Sequence, residues 1–110
     1  MIDQARFEDL RETMGADFAV LLAQSIVDIG TLSSELAGAA CAGEAARGAE
    51  ALHALKGVAL NLGLDPLAEA CLAAEPDAAG TLDAARVHDV QAAIACSLRA
   101  LRRQADAAVT

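Results

Sequence analysis

The chain has 110 residues, with 16 Asp and Glu against 8 Lys and Arg for a formal net charge of −8, and 55% hydrophobic residues. That length fits one compact domain spanning residues 1–110, able to bury a core without disulfides or a structural metal. The acidic balance and the 2% aromatic content argue against nucleic acid, which calls for clustered cations and stacking platforms. About a quarter of the residues are Ala, the best helix former and a residue strands avoid, so the composition predicts an all-α protein with closely packed helices.

In chain order, Asp3 caps a short first helix carrying Phe7 and Leu10, which breaks at Gly15. Phe18, Leu21, Leu22, Ile26, Ile29, Leu32 and Leu36 then recur at steps of three and four, the spacing of one face of a long amphipathic helix. A break near Ala42-Gly43-Glu44 precedes a helix with Ala45, Leu52, Leu55, Ala59 and Leu62 in one stripe. Gly63-Leu64-Asp65-Pro66 reads as a tight corner: Gly63 in the left-handed position, Asp65 as N-cap and Pro66 as first helical residue. The next helix turns Leu67, Cys71 and Leu72 inward and stops near Glu75, because Pro76 disfavours a helical residue before it. A linker from Pro76 to Leu82 leads to Asp83, the cap of a last helix with Val87, Val90, Ile94, Leu98 and Leu101 inward and Arg99, Arg102 and Arg103 near its C-terminus. Short connections imply antiparallel neighbours, hence an antiparallel up-and-down four-helix bundle with an additional short N-terminal helix.

Cys41, Cys71 and Cys96 are odd in number and widely spaced, which indicates neither a disulfide framework nor a zinc site; they read as small buried hydrophobes in a reducing compartment. The N-terminus lacks a basic region leading into an apolar one, and no uncharged apolar stretch approaches a membrane span, so the expectation is a cytoplasmic protein without a membrane partner.

The stretch Leu52 to Gly63 carries the chemistry. His53 falls off the apolar stripe, with Lys56 and Gly57 one turn on to either side. Lys56 is the sole lysine, and Gly57 costs about 1 kcal/mol relative to Ala inside a helix, so it needs a packing or functional reason. Ala46 and Ala49 keep the surface before His53 low. A neutral imidazole on a flat, accessible patch suits a phosphoryl acceptor: its nitrogen is nucleophilic near neutral pH, an ammonium offsets phosphoryl charge, and a missing side chain admits a partner's loops. His88 lacks such neighbours and reads as an exposed residue of the last helix, while Leu60, two turns past His53, offers an apolar seat for a partner. Asn61 is placed either to contact a partner's backbone or to pair with helix-end carbonyls.

His53-x-x-Lys56-Gly57, with Asn61-Leu62-Gly63 downstream and then Leu67, resembles the motif of histidine-containing phosphotransfer domains, the shuttles of multistep phosphorelays, from about Phe18 onward. The resemblance implies that His53 is phosphorylated, Lys56 is its charge partner and Gly57 gives access, with Leu60, Asn61 and Gly63 on the partner-binding side. It also implies a carboxylate twenty-two residues after the histidine, here Glu75, hydrogen-bonded to the imidazole. Leu52 stands where relatives often carry Ala before the histidine, a difference of core packing. The implied protein is a monomeric phosphocarrier without kinase activity, cofactor or metal of its own. Its partners are receiver domains of response regulators or of a hybrid histidine kinase, which bring Mg²⁺.

Two other readings compete. A histidine kinase's dimerisation and phosphoacceptor domain typically has an acidic residue directly after the histidine and a proline soon after, whereas Ala54 follows here and no proline precedes Pro66. A bundle that binds receivers without transferring is expected to lose the histidine, which this chain keeps. Beginning at Met1 with no adjoining domain, the chain reads as a stand-alone protein or as a domain taken from a longer one.

Overall fold

The computed structural model describes residues 3–76 and 80–109 and is all-helical there, without strands among the described residues. Five helices pack against one another: α1 (Gln4–Met14), α2 (Asp17–Ala42), α3 (Ala45–Leu62), α4 (Asp65–Ala74) and α5 (Ala84–Val109). α2 packs on α3 and α5, α4 packs on the same two, and α1 lies across α2 and α3. Two 26-residue helices, each about 39 Å long by the usual rise, set the elongated 46 × 21 × 18 Å shape.

The stops and starts follow the local chemistry read from the residues. Asp3 Oδ1 accepts the Arg6 N–H at 3.1 Å, and Gly15 ends α1 with φ +58°. Gly43 and Gly63 close α2 and α3 in the left-handed conformation, each donating its N–H back to the last turn. Asp83 Oδ1 accepts from the Ala85 and Arg86 amides at 2.9 and 3.3 Å, capping α5.

Phe18, Leu22, Ile29 and Leu36 of α2 meet Leu52, Leu55, Ala59 and Leu62 of α3, and Val87, Val90, Ile94 and Leu101 of α5 complete the core. Leu21, Ile26, Leu32 and Leu98 are partly buried at its edge. The protein's two phenylalanines, Phe7 and Phe18, meet edge to face at 5.5 Å between centroids, which pins α1 to α2. Between α2 and α5, Ser33 Oγ donates to Gln91 Oε1 at 2.6 Å while Gln91 Nε2 donates to the Ser33 carbonyl at 3.2 Å. This two-point clamp fixes the register of the two helices.

Several expectations are corrected. Leu64, not Asp65, occupies the N-cap of α4: its side chain is fully buried and its carbonyl accepts from Ala68, leaving Asp65 and Pro66 as the first two helical residues. Leu72 faces outward, 58% exposed, because Leu67, Ala68, Cys71 and Ala74 form the buried arc and Leu72 lies about 100° from its centre. α5 runs on to Val109, so Arg99, Arg102 and Arg103 precede its last turn and are removed from the terminal dipole. Of the cysteines only Cys71 is buried; Cys41 and Cys96 lie on the exposed faces of α2 and α5. α2 is long and apolar enough, by length and composition, to cross a bilayer, although Asp28 and Glu35 lie within it and its buried side chains face the other helices. Asp77 to Ala79, the middle of the expected linker, lie outside the described residues.

Candidate functional site

On α3, burial of Ala51, Leu52, Leu55, Ala59 and Leu62 leaves His53, Ala54, Gly57, Leu60 and Asn61 on the outer face, with Lys56 half-buried at the boundary toward α4. Among the described residues, no hydrogen bond or ion pair holds the His53 side chain, so both ring nitrogens are open to a partner. A Cβ built on Gly57 meets nothing within 4 Å. The glycine therefore has no packing reason inside the molecule, and its consequence is an open surface one turn from the imidazole. Gly48, two turns before Leu55 on the same helix, shows the opposite case. A Cβ there would approach Leu82 Cδ1 to 2.6 Å, so that glycine is a packing residue.

Lys56 Nζ lies 3.5 Å from Glu75 Oε1, with the two side chains 27% and 44% exposed. The imidazole hydrogen bond expected of Glu75 is therefore absent: the carboxylate, at the C-cap of α4, sits on the ammonium instead. An exposed pair at this separation contributes little to stability. Beneath it, burial pushes the Cys71 thiol up to about 11, with the Lys56 charge acting to lower it and the Glu75 charge to raise it. Cys71 is thus a neutral thiol that packs, not a nucleophile.

Lys56, Leu60, Ala68, Glu69 and Leu72 line an open, largely apolar groove of about 320 Å³ between α3 and α4. Leu60 and Leu72 are each 58% exposed. Leu72 is the surface residue that the sequence reading missed, and its angular distance from the Leu67–Cys71 stripe was the available signal.

No family model, curated protein or solved structure matches the chain.

Gly63 leaves the partner-binding set. It is buried, its carbonyl accepts from the Asp3 amide at 2.8 Å, and a Cβ on it would meet Arg6 Cβ at 2.8 Å. Its place is structural, under the start of α1. Asn61 is exposed, and its backbone carbonyl accepts from Arg6 Nε at 3.1 Å, so α1 covers the end of α3. His88 is exposed on α5, a helix that packs on α2 and α4 and not on α3. Among the described residues no three His, Cys, Asp or Glu side chains converge as metal ligands. What the arrangement offers is an exposed imidazole on open surface, the Lys56 ammonium a turn away, and an apolar groove alongside.

Proposed function

We propose that the protein is a histidine phosphotransfer protein of a multistep phosphorelay, in which His53 takes a phosphoryl group from an aspartyl phosphate of one receiver domain and passes it to an aspartate of another. The observation that carries this reading is the unpartnered, exposed His53 beside a glycine that no internal contact requires. In the reaction an imidazole nitrogen attacks phosphorus, the N–P bond forms, and the aspartate oxygen leaves as carboxylate; the far nitrogen keeps its hydrogen until solvent removes it. Mg²⁺ brought by the receiver would neutralise charge on the phosphoryl oxygens. Lys56 offsets what charge remains, and Gly57 lets the two reacting atoms come into line.

The groove beside the histidine extends the reading to recognition. Leu60 and Leu72 form an apolar seat flanked by Lys56 and Glu69, a mixed surface suited to a transient complex. The finer architecture belongs to the same proposal: α2 to α5 form an antiparallel up-and-down four-helix bundle with α1 as the additional helix. So do a monomeric state, a cytoplasmic location and the lack of kinase activity.

The test is incubation with a phosphorylated receiver domain and Mg²⁺. Acid-labile, base-stable phosphate is expected on the wild type and not on His53→Gln. A receiver that binds the protein tightly yet leaves it unphosphorylated would replace transfer by binding alone.

A further inference from the structure

Glu75 lies against Lys56 and makes no bond to the imidazole. Lys56 is the only lysine in a chain of net charge −8. Its ammonium lies 3.5 Å from the Glu75 carboxylate, and Glu69 lines the same groove. Glu75 is held there by the chain: it caps α4 with an extended backbone, its amide donates to the Leu72 carbonyl at 3.4 Å, and Pro76 follows. The buried Cys71 thiol below adds no charge of its own at neutral pH.

A phosphoryl group on His53 brings about −1.5 to −2 charges to within one turn of Lys56. It must then compete with Glu75 for the same cation. Resting on the phosphotransfer reading, we propose that Glu75 is a positioning residue that sets how strongly His53 holds a phosphoryl group, by drawing the Lys56 ammonium away from it. The pair keeps the phosphohistidine weakly stabilised, which suits a group that is received only to be passed on. An uncommitted lysine in the same place would hold the phosphoryl group longer and favour the loaded state.

The test needs no partner protein. Phosphoramidate donates directly: the His53 nitrogen attacks phosphorus, the donor's P–N bond breaks, and ammonia leaves with the electron pair. At a fixed ratio of phosphoramidate to ammonium, phosphorus NMR reads the equilibrium occupancy of His53 in wild type, E75Q, K56Q and the double variant, with His53→Gln as the blank. Melting curves check that each variant is folded. E75Q is expected to raise the equilibrium constant for loading about fivefold, the factor one unit-charge interaction at about 4 Å is worth in water. In the K56Q background the same substitution is expected to change it less than about twofold, and about 1 M salt is expected to shrink the wild-type difference. Equal shifts in both backgrounds, or none in either, would overturn the role given to Glu75 while leaving phosphotransfer standing. Failure of the wild type to load beyond the His53→Gln blank, whose only signal comes from the exposed His88, overturns the phosphotransfer reading and this one together.

Discussion

Gly57→Ala separates stability from function at one position. The residue is in the interior of the 18-residue α3, where glycine costs about 0.8–1.0 kcal/mol relative to alanine through backbone entropy. The new methyl meets no atom within 4 Å, so no steric term offsets that gain, and the exposed position adds no burial to it. The expected result is a stabilisation of about 1 kcal/mol. With an unfolding entropy of about 2.1 cal/mol/K per residue over 110 residues, this raises Tm by about 4 °C. Thermal and urea unfolding followed by far-ultraviolet circular dichroism measure it. Phosphotransfer should move the other way. Gly57→Leu keeps the helix but fills the approach to His53, and a reacting atom held off line by about 1 Å costs up to about a hundredfold in rate. A Tm that falls in Gly57→Ala would mean that the glycine packs against something after all. A Gly57→Leu protein that transfers at the wild-type rate would remove the argument that the missing side chain admits a partner.

Gly63→Ala should do the reverse and destabilise by about 2 kcal/mol or more, because φ is +71° and the methyl would lie 2.8–2.9 Å from Arg6 and Asp3 side-chain carbons; the loss is read by urea unfolding. Leu60→Gln and Leu72→Gln should leave stability within about 0.5 kcal/mol, since both side chains are mostly exposed, yet weaken binding of a receiver about tenfold each by calorimetry. Burial raises the Cys71 thiol from 9.0 to about 11, so unfolding releases a group that ionises more readily. The native state then holds more protons than the unfolded chain between those values. Its contribution to stability is complete below pH 9 and is lost toward pH 11, with a slope of at most about 1.4 kcal/mol per pH unit. Urea midpoints taken from pH 8 to 10.5 should fall less steeply in Cys71→Ala than in the wild type, and parallel slopes would refute the assignment.

Much of the helical plan was legible in the residues because it rests on short-range chemistry. Positive-φ glycines at Gly15, Gly43 and Gly63, the Asp3 and Asp83 caps and the three-and-four spacing of the α2 core residues all act within a few positions along the chain. His53, Lys56 and Gly57 likewise share a helix, so their common outer face follows from about 100° per residue alone. What the chain could not specify locally were relations between helices. Leu72 is as apolar as Leu67; periodicity sets it at the margin of the Leu67–Cys71 stripe, and the placement of α4 against α3 and α5 leaves that margin uncovered. Cys41 and Cys96 looked as fit for burial as Cys71 until the faces of α2 and α5 were set by their neighbours. Glu75 is nineteen residues from Lys56 in sequence, and whether its carboxylate reaches the imidazole or the ammonium depends on the angle and end point of α4. Local hydrogen bonding and periodicity thus determined most helix ends and the main apolar stripes; long-range packing decided which marginal side chains are covered, which charge meets which and what surface remains for a partner.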